Sequence, residues 1–188
     1  LQGTGQGQLY IPSLTSKALR VNLQWQGGIT LAGAQIGLQR YQRTGNGDAV
    51  ITGIQSPSLV IDQRGVGNLR LDGTQLGVRK LVRLGDGNLY LGHLSTQPMV
   101  ARIHSNGNTQ LRGEAIDLRR LQYTGSGNVT VNRLHSTQLD LITNAARSSR
   151  IRLLGEVNLR QVHHLGQSHL LLNHVRSSHL RFTAENAG

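Results

Sequence analysis

The sequence predicts an all-β fold, a parallel β-helix or β-solenoid of about nine coils with ~20 residues each. Three observations predict it: glycine recurs at a step of 20 residues, apolar and polar residues alternate after each glycine, and glycine is abundant at 24 residues. A fixed period of this length is typical of coils that bury an apolar face only when neighbours stack on them. Helical repeats are disfavoured because each glycine inside a helix costs ~1 kcal/mol relative to alanine.

Columns of apolar residues define the predicted strands. Leu9 and Ile11 lie two and four residues after Gly7, and apolar residues return at these two positions in nearly every coil. A further column lies six residues before each glycine and comprises Val21, Tyr41, Ile61, Leu81, Ala101, Leu121 and Leu141. Apolar residues at period two indicate a strand with one buried face. We therefore expect strands of roughly five residues broken by glycine, stacked at ~4.8 Å per coil into a rod of roughly 43 Å.

The repeat organises the chain as a single domain over residues 1–188. Regular coils cover 1–142, the register shifts by two residues at TNAARSSR (143–150), and the final coils cover 151–183. A chain of 188 residues is long enough to bury a core. No stretch approaches the ~18 apolar residues of a membrane span. Cysteine is absent, which excludes disulfides and thiolate metal sites.

The recurring glycines are predicted to form the corners of the coils. A dinucleotide-binding fingerprint needs a helix after its G-x-G, whereas here a strand follows, and the motif is repeated many times. Glycine reaches positive φ without penalty and lets successive backbones stack closely. The structural corners are Gly27, Gly47, Gly67, Gly87, Gly107 and Gly127.

A polar residue follows each corner glycine and predicts a ladder along the rod. These residues are Asp48, Asn68, Asn88, Asn108 and Asn128 in consecutive coils. Stacked asparagines at one corner can hydrogen-bond from coil to coil, as amide ladders do in cross-β stacks. The alternative, a cation held by Asp48, rests on a single carboxylate and is disfavoured.

Two coil types alternate, giving a second period of 40 residues. One type reads GAQIGLQRY, GTQLGVRKL, GEAIDLRRL and GEVNLRQV, and the other reads IQSPSLVI, LSTQPMVA and LHSTQLDL. The first type carries a polar pair at one place, and we call its basic members the basic stripe: Arg40, Arg79, Lys80, Arg119, Arg120 and Arg160. These residues are predicted to align in every second coil, ~9.6 Å apart. We also expect Arg43 and Arg83 to extend the stripe.

The basic stripe has two interpretations. Arginine offers a planar fork suited to carboxylate, sulfate or phosphate, so the stripe is a candidate anion- or partner-binding surface. The alternative is a solvated face whose like charges keep the strands from aggregating. The net charge of +11 favours an anionic partner. Single-stranded nucleic acid is less favoured because stacking aromatics are few, at 3% of the chain.

The acidic residues and histidines do not form a recognisable catalytic or metal set. The acids of successive coils lie at different places in the repeat, so we expect no convergence and no enzyme activity. A polysaccharide-active enzyme is the weighed alternative. His163, His164, His169, His174 and His179 crowd the last coils, but their spacing does not impose the three or four ligands of a zinc site. We expect no metal and no cofactor.

Five stretches carry a resemblance to a known family: GTGQGQLYI, RTGNGDAVITG, RGVGNLRLDG, RLGDGNLYLG and YTGSGNVTV. Together they resemble the auto-transporter adhesin head domain, also called the head GIN domain. The match covers residues 3–135 well and 148–183 loosely, where Ser149 and Ser168 replace the second glycine. The resemblance implies a bacterial, exported β-helical domain of the cell envelope (periplasm or outer membrane) or cell surface, without catalytic residues.

These observations predict a non-catalytic structural or binding module. It presents a basic face to an anionic glycan, to another envelope component or to protein subunits of an assembly. A basic nucleic-acid-binding protein is the alternative. Because each end of a solenoid offers unpaired backbone groups, and neither LQGTGQG nor FTAENAG resembles a capping helix, we expect a partner or a second copy to cover an end.

Overall fold

A computed structural model describes residues 1–185 of the chain, which form one parallel sheet of fifteen strands and contain no helix. No segment of the described part is therefore a helix that could cross a membrane. The last three residues of the FTAENAG stretch, 186–188, lie outside the described residues.

The strands follow one another around the coils. They are β1 (Gln2–Gln6), β2 (Leu9–Ile11), β3 (Thr15–Gln26), β4 (Ile29–Thr44), β5 (Ala49–Arg64), β6 (Leu69–Leu84), β7 (Leu89–Leu94), β8 (Met99–His104), β9 (Thr109–Gly113), β10 (Leu118–Gly125), β11 (Val129–Ala145), β12 (Arg150–Gly166), β13 (His169–Leu172), β14 (Val175–Arg176) and β15 (Arg181–Glu185).

Stacking follows the 20-residue period, so the fold is the predicted β-solenoid of about nine turns. Ile29 pairs with Ala49, Ala49 with Leu69, and Leu69 with Leu89, always in parallel. The predicted apolar columns point inward. Their members Leu71, Leu91 and Leu111 are fully buried, as is every residue of the column from Val21 to Leu141.

The predicted strand length of roughly five residues holds for β1, β7, β8, β9 and β15, which have five or six residues, but other strands are much longer. β4, β5 and β6 each have 16 residues, and β11 and β12 have 17. For these long strands the prediction was wrong because only the glycine corner of their coils interrupts the pairing. At the other corners the parallel pairing continues through bulges, such as the register shifts between Ser56 and Leu59 and between Leu59 and Val60.

The shift of register lies where the sequence indicates it. Val129 pairs with Ile151, two residues more than the usual step, and the extra residues form a turn closed by the Ser149 N–H donating to the Ala146 carbonyl at 2.9 Å. After this turn Ile151 pairs with Leu170, so the stacking continues into the final coils.

The corner glycines act in two ways. Gly27, Gly47, Gly67 and Gly87 have φ of 141°, 95°, 131° and 114°, a region that favours glycine. Gly107 and Gly127 are not among the positive-φ residues, so the predicted conformational reason does not apply to them. They are needed for close approach instead, because a Cβ at either position would collide with the carbonyl oxygen of the glycine stacked against it, Gly87 or Gly107.

The polar ladder is present, and in each rung a backbone N–H donates to a side-chain oxygen. Only the first rung adds a bond between side chains, from Asn68 Nδ2 to Asp48 Oδ1 at 3.0 Å. The side-chain oxygens of Asp48, Asn68, Asn88 and Asn108 accept from the backbone N–H of the next ladder residue at 2.8, 2.8, 2.9 and 3.0 Å. A second, shorter ladder that the sequence analysis missed begins at Gln26, whose Oε1 accepts from Asn46 N–H at 3.0 Å. Each rung satisfies a corner N–H that the strand ladder leaves over.

A serine hydrogen bond accompanies the alternation of coil types. In three coils of the first type, a bulge follows a leucine whose carbonyl accepts from a serine side chain. An inward serine of the next coil donates to this carbonyl: Ser56 to Leu38 at 2.6 Å, Ser136 to Leu118 at 2.7 Å, and Ser177 to Leu159 at 2.6 Å. The two coil types are therefore complementary.

Candidate anion-binding site

The polar pairs of the first coil type lie on bulges. Leu59 pairs with Val78 and Val60 pairs with Lys80, so Arg79 has no partner in the neighbouring strand. The same register shift leaves out Gln39, Arg119 and Arg160 in their coils. Next to the bulge, the pairing places Arg40, Lys80 and Arg120 in one outward column, with Val60 and Val100 in the intervening coils.

Acidic partners neutralise the carboxyl-terminal half of the basic stripe. Arg119 forms an ion pair with Asp117 at 2.9 Å. Arg160 Nε donates to Asp140 Oδ1 at 2.7 Å, and Arg120 Nη2 lies 3.5 Å from Asp140 Oδ2. The hydrogen bond from Arg160 holds the pKa of Asp140 below its usual range, against the opposing effect of burial. These three arginines are therefore committed to internal ion pairs.

The amino-terminal half of the stripe is different. Within the described residues, Arg40, Arg79 and Lys80 form no ion pair. Arg40 and Arg79 line a surface groove of about 780 Å³ together with Lys17 and Arg20. We call it the basic groove, and of the described residues that line it none is acidic. Four cations around one concave surface concentrate positive potential there.

Small and rigid residues shape the basic groove. Ser56, Pro57 and Ser58 line one part of it, and Gly37 lies beside Lys17, where a Cβ would collide with the Lys17 carbonyl oxygen. Arg20 Nε donates to Gln39 Oε1 at 3.1 Å, which orients this guanidinium across the groove. The remaining N–H groups of the arginines are available for bidentate contacts with a carboxylate, sulfate or phosphate.

Lys17 and Arg20 were not among the predicted site residues. The signal for Arg20 was present, since it lies 20 residues before Arg40 and pairs with it in register. Lys17 belongs to the second coil type, in which the sequence shows no regular basic residue. Its place in the basic groove depends on how the corner of one coil stacks on the next.

Arg43 and Arg83 do not extend the basic stripe, and this prediction was wrong. Both are fully buried, because they lie two residues after an inward apolar residue and share its face. Their guanidinium groups donate to carbonyls of the glycine corners, Arg43 to Gly27 at 2.6 Å and Arg83 to Gly67 at 2.5 Å. Burial lowers the pKa of Arg83.

The interior position occupied by Arg43 and Arg83 also carries a polar side chain in the two later coils of the first type. The Tyr123 hydroxyl donates to the Gly127 carbonyl at 2.7 Å, and His164 Nε2 lies 3.1 Å from the Ser168 carbonyl oxygen. Together with Arg43 and Arg83 these side chains repeat at about 40 residues. The corner carbonyls thus obtain hydrogen bonds from inside the coil, which the burial of polar atoms requires.

The remaining titratable residues do not gather into a metal site. Across residues 1–185 no group of three histidine, aspartate or glutamate side chains has metal-binding geometry. Of the histidines in the final coils, His164 is half-buried against Thr143, with Nδ1 at 2.7 Å from Oγ1, and His169, His174 and His179 are exposed. The closest acid–histidine pair is Asp72 and His93, with Oδ1 and Nδ1 2.8 Å apart.

The fold and the groove define the class of protein: a repetitive parallel β-solenoid with a basic groove on one corner. Compared with family models, with curated proteins and with solved structures, the chain matches none of them. The resemblance to the head GIN domain therefore stays a prediction, and the function has to be argued from the site itself.

Proposed function

We propose that the chain is a non-catalytic binding module that presents the basic groove to an anionic partner. The observation that carries the proposal is the juxtaposition of Lys17, Arg20, Arg40 and Arg79 around one groove whose described lining contains no acid. An internal ion pair would consume part of this charge, as Asp140 does for Arg160. Unpaired cations on a rigid surface instead remain available to a ligand.

The favoured partner is an anionic glycan or another anionic component of the bacterial cell envelope or cell surface. The resemblance to the head GIN domain supports this location. The sparse aromatics favour a glycan over single-stranded nucleic acid, because Tyr41 and Tyr123 are fully buried and supply no stacking surface. Duplex DNA, which charge alone can bind, is the alternative outcome of the test.

The experiment compares charge-matched variants in salt-titrated binding. One variant replaces Lys17, Arg40 and Arg79 with glutamine, and the control replaces Arg147, Arg150 and Arg152, which are exposed and lie outside the basic groove. Both lose three positive charges. The probes are a sulfated heparin fragment, lipopolysaccharide and a short DNA duplex.

We expect the groove variant to bind the heparin fragment or lipopolysaccharide more weakly, and the slope of log K against log salt to fall by about three. The control variant should keep most of the affinity. Equal losses in the two variants would show that net charge alone binds, and would contradict a localised site. Preference for the DNA duplex at matched salt would favour the nucleic-acid alternative.

A further inference from the structure

A second groove lies at a different corner of the solenoid, where the backbone turns after the first strand of the coil. The residue at this turn has a left-handed conformation in every second coil, with φ of 76° at Gly53, 55° at His93, 56° at Arg133 and 51° at His174. Glycine is the residue that adopts this conformation without strain. Three of the four coils nevertheless carry a histidine or an arginine there.

Two of these strained residues face the same concavity. His93 and Arg133 line a groove of about 780 Å³, which we call the turn groove, together with Gln75, Tyr90, Arg112 and Glu114. Strained residues persist where a function or the surrounding structure requires them. Their convergence on one groove is the first argument that these side chains serve a ligand.

Neighbouring contacts hold the side chains of the turn groove in place. Asp72 Oδ1 lies 2.8 Å from His93 Nδ1, so Nε2 is the nitrogen left for a ligand. Asp72 also accepts from Arg70 at 3.0 Å, and the Arg70 guanidinium lies over the Tyr90 ring, 4.3 Å from its centroid. The Arg112 guanidinium is 5.9 Å from the same centroid. The groove is thus pre-organised around one aromatic ring.

The chemistry of the turn groove differs from that of the basic groove. It combines the cations Arg112 and Arg133 with a carboxylate, Glu114, and with uncharged hydrogen-bonding groups such as Gln75. A carboxylate repels a dense polyphosphate but accepts hydrogen bonds from sugar hydroxyls. The arginines suit a single carboxylate of the ligand.

We propose that the turn groove binds an acidic saccharide of the uronic acid class. Arg112 and Arg133 bind its carboxylate, Glu114 and Gln75 bind its hydroxyls, and His93 contributes Nε2. This site is separate from the basic groove and does not depend on the function proposed for it.

The test uses the left-handed backbone conformation of His93 and Arg133 as an internal control, because its relief is measured separately as a change in thermal stability. Arg133→Gly and His93→Gly remove a ligand contact and at the same time relieve the left-handed conformation. Arg133→Gly should therefore raise the midpoint of thermal unfolding by about 2–4 °C, and His93→Gly should raise it less, because it also loses the contact with Asp72. Both should lower the affinity for tri-galacturonate, Arg133→Gly by at least about tenfold. Arg112→Gln, which leaves the backbone unchanged, should lower the affinity similarly.

His174→Gly is the matched control, since His174 has the same conformation but lies outside the turn groove. It should gain thermal stability without any change in saccharide affinity. The methyl ester of tri-galacturonate, which lacks the charge, should bind at least about tenfold more weakly than the acid.

Unchanged affinity in Arg133→Gly and Arg112→Gln, or equal binding of acid and methyl ester, would overturn the proposal. The variant lacking Lys17, Arg40 and Arg79 separates the two sites. It should keep most of the tri-galacturonate affinity that Arg133→Gly loses. If it loses this binding while Arg133→Gly keeps it, the saccharide binds in the basic groove, and the turn-groove proposal is wrong while the function proposed for the basic groove stands.

Discussion

Arg43 and Arg83 place charge inside the coil, and their hydrogen bonds are unequal. Arg43 donates from Nη1 to Gly47 at 2.7 Å and from Nη2 to the carbonyls of Gly27 and Asn46 at 2.6 and 2.5 Å. In Arg83 only Nη2 donates, and both Nε and Nη1 have no partner within the described structure, whereas in Arg43 only Nε lacks one. A buried polar group without a partner costs stability.

Arg43→Met should therefore destabilise the fold more than Arg83→Met. We expect a loss of about 2–3 kcal/mol for Arg43→Met, which leaves corner carbonyls unsatisfied, and about 1 kcal/mol or less for Arg83→Met. Urea unfolding of both variants measures the difference. An equal loss, or the reverse order, would contradict the assigned hydrogen bonds.

Tyr41 provides a pH-dependent test of the interior. Burial raises its pKa to about 12, only partly opposed by the nearby Arg43. A raised pKa means that the folded state holds the proton more tightly. The stabilisation is complete below the ordinary tyrosine pKa of ~10 and is lost as the pH rises toward about 12.

Tyr41→Phe should reduce this alkaline loss of stability. The Tyr41 hydroxyl has no hydrogen bond of normal geometry within the described residues, although Arg43 lies close enough to oppose the rise of its pKa. We therefore expect the variant to be about 1 kcal/mol more stable at neutral pH. Tyr123→Phe is the control, since it loses a hydrogen bond to Gly127 and should be about 1 kcal/mol less stable. Thermal unfolding between pH 7 and pH 11 measures both, and a less stable Tyr41→Phe would be evidence against an unpartnered hydroxyl.

The inward direction of Arg43 and Arg83 was predictable, although the prediction failed. Both follow an inward residue, Tyr41 or Leu81, by two positions. The residues at this place in the other coils are also buried, whether apolar (Leu23, Ile103) or polar (Gln63, Thr143). The strand period therefore outweighed the usual preference of arginine for water. Hydrogen bonds to the carbonyls of the glycine corners compensate for this burial. The sequence does not show that these carbonyls point into the coil.

At the scale of the element, Asp140 determines how much of the basic stripe is free. It is nearly buried, with a side-chain exposure of 7%, and it binds both Arg120 and Arg160. Asp140→Asn should release these arginines and strengthen salt-dependent binding of the heparin fragment. Asp117→Asn, which frees Arg119 alone, should give a smaller gain.

The stability of Asp140→Asn should depend on pH in a defined direction. The lowered pKa of Asp140 stabilises the fold above the unfolded value of ~3.9, and this stabilisation is lost as the pH falls through the folded value. The variant should be about 1 kcal/mol less stable at pH 7, and the difference should close below about pH 4. A constant difference between pH 7 and pH 2.5 would contradict the ion pair.

The asparagine ladder has a local signature. Asn88→Ala removes the oxygen that accepts from the Asn108 N–H at 2.9 Å. We expect a loss of about 1 kcal/mol and faster hydrogen exchange at the Asn108 amide. The Asn88 amide, which donates to Asn68 Oδ1, should remain protected. Uniform acceleration over all coils would show that the rung has no local role.

The asparagine ladder was predictable from the sequence, whereas the ion pair of Asp140 with Arg160 was not. Residues 48, 68, 88, 108 and 128 share one place in the repeat, so their stacking follows from the period alone. The ion pair between Asp140 and Arg160 joins different places in neighbouring coils through a bulge. A bulge changes which residues of two neighbouring coils are paired. Its position does not follow from the 20-residue period, so the ion pair could not be predicted.

At the scale of the molecule, the stacking of coils brings residues that recur every 40 residues to the same corner of the solenoid. The basic groove and the turn groove lie at different corners because the side chains that form them occupy different places in the coil. The apolar side chains of the last strand are exposed in the described structure, Phe182 by 57%. The coverage of an end by a partner or a second copy therefore stays a prediction, which sedimentation of the protein tests.

One corner of the solenoid carries Arg20, Arg40, Lys80 and Arg120 in a single stacked column. The chain has no cysteine, so pairs of cysteines can be introduced and spin-labelled without interference. Arg40 and Arg120 are four coils apart and Arg20 and Arg120 are five, which gives backbone separations of ~19 Å and ~24 Å at ~4.8 Å per coil. Pulsed electron resonance should return narrow distributions whose means differ by ~5 Å. Broad distributions, or a shorter distance for the five-coil pair, would contradict the stacked column and the basic groove built on it.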